Sequence, residues 1–220
     1  MVSVSCDDGR VFSFEPGATA LLAIDFQRDF LEPEGGCNTG EAGRARLAAA
    51  VPAAKAAVAA ARAAGIEVLH TRESYAPDLA DVSPLKREMD YVGVEGPLGR
   101  CLVRGEPGCD FVAEMRPEPG ERVIDKPGFS AFYATDLEDH LRACGITHLV
   151  VTGVTYQCCV HSTLRDAVDR GFRCLTLDDA CAALEPELED AVRRIMSSEG
   201  NLFGWIADSA AFRAALEAAE

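Results

Sequence analysis

The sequence predicts an α/β fold in which helices cover both faces of a mainly parallel sheet, as a three-layer α/β/α sandwich. Short, continuous apolar runs suit strands that are buried on both faces, and helix-like segments separate these runs. Such alternation implies right-handed crossovers between parallel strands. With 220 residues, of which 48% are hydrophobic, the chain can bury its apolar surface in one core. We therefore expect a single domain over residues 1–220.

The first half of the chain predicts two strands, a long helix and an irregular segment. Residues 19–25 (TALLAID) form an apolar run that ends in an acid. Residues 44–64 are rich in Ala, contain Lys and Arg, and stop at Gly65, which indicates a helix with a glycine C-cap. A strand at 66–71 follows. Residues 73–120 contain many Pro and Gly, and so long an irregular excursion usually serves function or covers an interface.

Regular alternation of strands and helices resumes after this excursion. We expect strands at 122–125, 148–152 and 172–177, and helices at 135–144, 160–170, 185–198 and 209–218. In a sheet of this kind the ligand site lies at the carboxyl ends of the strands.

The amino-acid composition limits which binding partners and which cellular compartment we expect. The 36 acidic and 21 basic side chains give a net charge of −15, which disfavours nucleic acid and anionic membranes and would favour a cationic substrate. Nine cysteines without repeated CxxC spacing predict reduced thiols. Residues 1–10 are polar and acidic, and no apolar run approaches the ~20 residues that a membrane span needs, so we expect no secretory signal and a cytoplasmic protein.

Three side chains suited to nucleophilic catalysis fall at the ends of predicted strands. Asp25 ends the first strand, and Lys126 and Cys159 follow the third and fourth. A cysteine at a helix start near an ammonium has a lowered pKa, so its thiolate would be available near neutral pH. Asp25 could take the thiol proton and pass it to a leaving amine, while Lys126 stabilises both charges. Backbone amides of residues 155–159 could bind the oxyanion.

Each of these residue types also has a purely structural interpretation. An Asp after a strand often caps a helix or forms a turn, a Lys before Pro-Gly is commonly a surface residue, and a Cys at a helix start commonly fills a core. Residue type and spacing alone leave both interpretations open.

The segment GVTYQCCVHSTLRDA, residues 153–167, resembles the nucleophile motif of the isochorismatase-like cysteine hydrolases. In that register Cys159 matches the catalytic cysteine and Cys158 does not. The resemblance implies a non-proline cis peptide at Val154–Thr155 that shapes an oxyanion hole, to which we assign Thr155 and Cys159. The sequence departs from the common pattern at Tyr156, where the family frequently has Thr.

Two further motifs extend the resemblance over about residues 19–212. AIDFQRDF is similar to the family's first-strand motif and carries Asp25, and VIDKPGFSAFYAT is similar to its lysine motif and carries Lys126. The family's fold implies a mainly parallel, six-stranded sheet between helices. Metal-binding members use an Asp-x-His motif after the first strand and a further His, whereas LEPEGGCNTG follows Phe30 here without a His. We therefore predict no metal and no cofactor.

Segments in the middle of the chain indicate the class of substrate. Residues 70–87, 99–115 and 125–138 look most like biuret and related ureide amidohydrolases, and KPGFSAFY is also similar to ureidoacrylate amidohydrolases. Streptothricin hydrolases, which open a cyclic amide in a cationic antibiotic, are similar too. We expect a small amide substrate, such as biuret, ureidoacrylate, guanylurea or streptothricin, with a cationic substrate as one option, and a homo-oligomer, either a dimer or a tetramer.

Several side chains are candidates for the substrate pocket. Phe30, Phe129 and Phe132 would form apolar walls, and Tyr156 would contact the substrate from the nucleophile turn. Glu199 aligns with a Gln of biuret hydrolases. In the pocket it would favour a guanidinium or ammonium group, and its alternative is a solvated position at a helix end.

Other polar residues nearby have structural interpretations. His161 would lie on the helix face turned away from the nucleophile, and His70 would be packed. Arg72 and Glu73 could pair at a strand end, and we assign neither to catalysis.

Three competing functions remain open at this point. Cys158 and Cys159 could form a vicinal redox pair, although redox motifs usually separate the two cysteines by two residues. The fold could also serve as an inactive binding module, although all three catalytic residue types are present. A true isochorismatase, which cleaves a vinyl ether, normally uses a different polar pocket.

Overall fold

A computed structural model describes residues 1–37 and 39–219. Its strands are β1 (Val2–Ser5), β2 (Val11–Phe14), β3 (Thr19–Ile24), β4 (Glu67–Glu73), β5 (Glu95–Gly96), β6 (Gly99–Arg100), β7 (Arg122–Lys126), β8 (His148–Val154), β9 (Arg173–Ala182) and β10 (Trp205–Ala207). Six of them form one sheet in the order β10-β9-β8-β3-β4-β7. Every neighbouring pair in it is parallel, which confirms the predicted architecture.

Every predicted helix is present, and one of them is divided in two. The helices are α1 (Arg28–Leu31), α2 (Gly40–Ala49), α3 (Val51–Ala63), α4 (Pro84–Glu88), α5 (Leu137–Ala143), α6 (His161–Asp169), α7 (Pro186–Met196) and α8 (Ser209–Glu217). The short helices α1 and α4 were not predicted. The single helix expected at 44–64 is two helices, because Pro52 has no N–H to donate to the preceding turn and is tolerated only in the first turn of a new helix. No helix in the described part of the chain is both long enough and apolar enough to cross a bilayer.

The sheet separates two apolar clusters, one on each face. Leu21 and Ala23 of β3 pack with α3, α8 and the antiparallel hairpin of β1 and β2, whereas Ala20, Leu22 and Ile24 pack with α5, α6 and α7. This alternation follows from the two-residue period of a strand. It explains why β3 consists entirely of apolar residues apart from its first.

The excursion at 73–120 folds over the carboxyl end of the sheet and has a small core of its own, which includes Tyr75 and Leu102. The buried Asp29 ties this excursion to the loop after α1. Its carboxylate accepts hydrogen bonds from the backbone N–H groups of Gly36 at 2.9 Å and Leu102 at 2.7 Å. Two loops that cover the sheet end are therefore held together by one side chain.

Candidate active site

Four polar side chains meet at the carboxyl ends of four neighbouring strands. Asp25 follows β3, Glu73 ends β4, Lys126 ends β7, and Cys159 lies in the turn after β8. All four are buried. The structure thus brings the three predicted residues together at the predicted edge of the sheet, and it adds Glu73 to them.

Asp25 and Lys126 form a fully buried ion pair. Lys126 Nζ lies 2.7 Å from Asp25 Oδ2 and donates to the carbonyl oxygen of Gly128 at 3.0 Å. Thr71 Oγ1 donates to the other carboxylate oxygen, Oδ1, at 2.6 Å. Burial would lower the pKa of Lys126, but the negative charges of Asp25 and Glu73 raise it above its ordinary value. The ammonium therefore stays protonated.

Cys159 lies in a π-helical turn, Tyr156–Val160, directly before α6. Such turns are rare and often occur at functional sites. The peptide bond Val154–Thr155 is cis, which confirms the expectation from the nucleophile motif. The carbonyl oxygen of Thr155 accepts hydrogen bonds from the backbone N–H groups of Cys158 at 3.1 Å and Val160 at 3.2 Å, and these hydrogen bonds hold the turn closed around Cys159.

The surroundings of Cys159 act on its pKa in both directions. Its contact with the Cys158 thiol and its burial raise the pKa of Cys159 well above the ordinary value, and Asp25 and Glu73 raise it further, whereas Lys126 lowers it. These surroundings favour the thiol over the thiolate, and a base within reach would take its proton as the sulfur attacks.

Glu73 is the residue that the sequence analysis misassigned. Its partner was expected to be Arg72, but Arg72 Nε pairs with Asp125 Oδ1 at 2.5 Å. In the parallel register Glu73 stands opposite Lys126. Its Oε2 lies 3.9 Å from Cys159 Sγ, and the side chain is 2% exposed.

Glu73 is held by buried donors. Lys86 Nζ, the Tyr75 hydroxyl and the Tyr91 hydroxyl donate to its Oε1 at 2.6, 2.7 and 2.9 Å. Burial would raise the pKa of Glu73, but Lys126 and Lys86 hold it below the ordinary value, so the carboxylate stays ionised. The signal that could have found Glu73 is its position at the end of a strand, like that of the other three residues.

Gln27 fixes the backbone of Glu73. Its Oε1 accepts from the backbone N–H of Glu73 at 2.8 Å, and its Nε2 donates to the carbonyl oxygen of Glu73 at 3.0 Å. The side chain is fully buried. Gln27 thus connects the chain after β3, which includes Asp25, to the end of β4. The hydrogen bonds of Gln27 therefore help to fix Glu73 relative to Asp25.

A cavity of about 330 Å³ opens onto the sulfur of Cys159. Its lining consists of Phe30, Cys37, Thr39, Glu73, Met89, Tyr91, Phe129, Thr155, Gln157, Cys158, Cys159 and Leu184. Phe30 and Phe129 are therefore walls, as expected, and Thr155 borders the cavity beside the nucleophile.

Three other candidates for the pocket lie elsewhere. Phe132 packs into the core with its ring 5.8 Å from that of Phe172. The Tyr156 hydroxyl donates to Asp178 Oδ1 at 3.1 Å, away from the cavity. Glu199 is exposed in the turn Ser198–Gly200, where its φ is +50°. The solvated position is therefore the correct interpretation of Glu199.

His161 and His70 are packed as expected. The His161 ring lies edge-on to Phe203, with 5.6 Å between centroids, and does not line the cavity. His70 Nε2 lies 2.9 Å from Glu121 Oε2, and the ring is buried against Phe111.

Within residues 1–37 and 39–219, two groups of side chains come close enough to share a metal ion. They are Asp25, Glu73 and Cys159, and Glu67, His140 and Cys144. In the first group the Lys126 ammonium, 2.7 Å from Asp25, already supplies the positive charge. The second group lies at the opposite end of the sheet, and His140 Nε2 is 2.7 Å from Glu67 Oε1.

Comparisons with known proteins identify the family of this chain. A model of the isochorismatase domain matches residues 19–211. A ureidoacrylate amidohydrolase from Pantoea ananatis is 31% identical over 212 residues, which cover 92% of this chain and 84% of that protein.

Two solved structures have a similar fold. A cysteine hydrolase from Pseudomonas syringae pv. phaseolicola has a TM-score of 0.81 at 24% identity, with 95% of this chain and 97% of that chain covered, a likeness that shows the fold alone. An N-carbamoylsarcosine amidase from Thermoplasma acidophilum has a TM-score of 0.67 at 26% identity, with 87% and 96% covered. Because the family model spans most of the chain and the relative matches nearly all of it, this chain belongs to the isochorismatase family.

Proposed function

We propose that this chain is a cysteine-dependent amidohydrolase that cleaves a non-peptide C–N bond of a small ureide-like substrate, of biuret or ureidoacrylate type, through a thioester. One observation carries the proposal. A carboxylate oxygen of Asp25 and one of Glu73 lie with Cys159 Sγ within 4.8 Å of one another, Lys126 Nζ lies 2.7 Å from Asp25, and Glu73 and Cys159 line a cavity of about 330 Å³.

In the first half of the reaction, Cys159 Sγ attacks the carbonyl carbon while Asp25 takes the thiol proton. Asp25 suits this step because one of its carboxylate oxygens lies within 4.8 Å of Cys159 Sγ. Lys126 Nζ, 2.7 Å from Oδ2, and Thr71 Oγ1, 2.6 Å from Oδ1, hold the carboxylate in place. Backbone N–H groups of the turn at Thr155 and Cys159 would stabilise the oxyanion. Asp25 then protonates the departing nitrogen, the C–N bond breaks, and an acyl thioester remains.

In the second half, water replaces the amine. The water oxygen attacks the thioester carbon while Asp25 takes a proton from the water. The C–S bond then breaks, and Asp25 returns the proton to the sulfur of Cys159. The products are the carboxylic acid, or carbamic acid, and the regenerated thiol. Lys126 keeps its charge throughout and stabilises the carboxylate and the developing thiolate.

The names of the similar proteins support a ureide. Ureidoacrylate and N-carbamoylsarcosine each contain a carbonyl group between two nitrogens. All four strand ends that build the site belong to one sheet, which also supports a single catalytic domain over residues 1–220. The alternative of a guanidinium-bearing substrate rested on Glu199, which lies outside the cavity.

The proposal is tested by measuring ammonia release. Purified protein is incubated with biuret, ureidoacrylate, guanylurea and streptothricin, and products are followed by ammonia assay and mass spectrometry. We expect turnover of a ureide that Cys159→Ala abolishes. Cys158→Ser should keep hydrolysis, whereas a vicinal redox function would need both cysteines. Absence of Cys159-dependent hydrolysis of every compound would exclude the proposed function.

A further inference from the structure

Glu73 is a buried, ionised group beside the nucleophile that the reaction steps above do not use. We propose that its Oε2 accepts a hydrogen bond from the N–H on the non-leaving side of the substrate's reacting carbonyl, and so selects ureides over plain carboxamides. This inference rests on the proposed function and names the substrate class of the same site.

The two carboxylate oxygens of Glu73 have unequal surroundings. Oε1 accepts from Lys86 Nζ, the Tyr75 hydroxyl and the Tyr91 hydroxyl at distances of 2.6 to 2.9 Å. Among the described residues, the one donor to Oε2 is the Cys159 thiol at 3.9 Å, which is long even for sulfur. Since a carboxylate oxygen can accept two hydrogen bonds, Oε2 is the oxygen left for a substrate donor.

The position of Oε2 suits a nitrogen attached to the reacting carbon. A carbonyl carbon ready for attack lies about 3–3.5 Å from the sulfur, and its substituents extend about one bond length further. Because Oε2 lies 3.9 Å from the same sulfur, a substituent on that carbon comes within hydrogen-bond reach of it. An N–H there gains a charge-assisted hydrogen bond, whereas a CH₂ there leaves the carboxylate without one.

Glu73 is better suited to bind than to carry a proton. Its three donors to Oε1 stabilise the anion, and Lys126 faces it from the neighbouring strand. Its pKa is accordingly below the ordinary value, which makes it a weak base. Asp25 and Glu73 therefore have different roles. Asp25 transfers protons, and Glu73 remains an anion that orients the substrate.

The test uses a pair of substrates that differ in one group. Malonamide is biuret with the central N–H replaced by CH₂, so both release ammonia from the same terminal amide. We expect Glu73→Gln to lower kcat/KM for biuret by about ten- to a hundredfold, largely through KM, and to change kcat/KM for malonamide far less. The expected signature is a loss of the biuret-to-malonamide preference, which a purely structural role of Glu73 would not produce.

Tyr75→Phe is the matched control, because it removes a donor to Oε1, leaves Oε2 in place and lies outside the cavity lining. It should lower the rates for both substrates by a similar factor and retain the preference. Calorimetric binding of the two compounds to Cys159→Ala gives a readout that does not depend on turnover, and circular dichroism checks that each variant folds.

The outcomes separate this inference from the proposed function. If biuret is hydrolysed through Cys159 but Glu73→Gln keeps the preference, the role of Glu73 is wrong and the amidohydrolase proposal stands. Hydrolysis of malonamide in preference to biuret would likewise overturn the inference alone. If no ureide or amide is hydrolysed, both proposals fail.

Discussion

Lys126 is a fully buried cation that lies among two carboxylates and a thiol. We expect Lys126→Met to remove activity and to lower the free energy of unfolding by about 3–5 kcal/mol, because Asp25 and Glu73 would then carry buried negative charges with one ammonium, that of Lys86, between them. Urea denaturation followed by circular dichroism measures the loss.

Two variants define what the Lys126→Met result means. Lys55→Met alters an exposed lysine of α3 and should change stability by no more than about 0.5 kcal/mol. The double variant Asp25→Asn/Lys126→Met removes one of the unpaired anions and should regain part of the stability without activity. If the double variant is as unstable as the single one, charge is not the cause.

Cys159 provides a prediction on pH. Because contact with Cys158 and burial raise the pKa of Cys159 above its ordinary value of 9.0, the thiolate fraction should still be increasing at pH 9. We expect the rate of alkylation of Cys159 by iodoacetamide, measured in the unsubstituted chain by tandem mass spectrometry that distinguishes Cys159 from Cys158, to rise through that pH after correction with a small free thiol. A rate that levels off near neutral pH would show instead that a thiolate is already present at rest.

Three of the four clustered groups, Asp25, Lys126 and Cys159, are predicted from the sequence. Glu73 was also expected at a strand end, but as the ion-pair partner of the adjacent Arg72. In the observed β4, Arg72 Nε lies 2.5 Å from Asp125 Oδ1, and Glu73 stands opposite Lys126. Successive side chains of a strand point to opposite faces, so an adjacent pair of opposite charges does not predict an ion pair between them.

Among the elements, β3 and β8 precede Asp25 and Cys159 respectively, and Gly153 lets these two strands approach each other. Gly153 has a φ of +147°, and a Cβ built on it would lie 2.4 Å from the carbonyl oxygen of Ile24 and 2.6 Å from its Cβ. We expect Gly153→Ala to push the two strands apart, to destabilise the fold by about 1–3 kcal/mol or more, and to lower kcat by separating the base from the nucleophile.

Gly171→Ala is the comparison for this variant. Gly171 also has a positive φ, of +83°, but no atom of the described chain lies within 4 Å of the position that a Cβ would take there. It should lose about 1–2 kcal/mol from backbone conformation alone and keep its kcat. Thermal denaturation and initial rates on the best ureide measure both quantities, and equal effects on kcat would contradict the role given to close strand approach.

At this scale the sequence pattern predicted five of the six sheet strands and the positions of the helices that follow β7. It did not locate β10, because three residues are too few to establish a period. It also did not resolve the excursion, whose structure depends on contacts with distant segments, such as those of Asp29 with Gly36 and Leu102. Local patterns carry no information on such contacts, and these loops form much of the cavity wall.

The molecule as a whole combines a net charge of −15 with two buried ion pairs near Cys159, Lys126 with Asp25 and Lys86 with Glu73. The excess negative charge acts on approaching ions at long range and is screened by salt, whereas the buried pairs are screened much less. Changing the ionic strength therefore distinguishes effects of the long-range electrostatic field on substrate approach from effects of the buried groups on substrate selectivity.

For an uncharged substrate, kcat/KM should be independent of salt. We expect the value for biuret to stay within about twofold between low and physiological ionic strength, because no net force acts on it as it approaches. For 3-ureidopropionate, repulsion by the charge of −15 should be relieved as salt is added, so its kcat/KM, or its inhibition constant if it is not turned over, should improve. Guanylurea should behave in the opposite way. A strong salt dependence with biuret would mean that exposed charges, rather than the buried groups around Cys159, control its reaction.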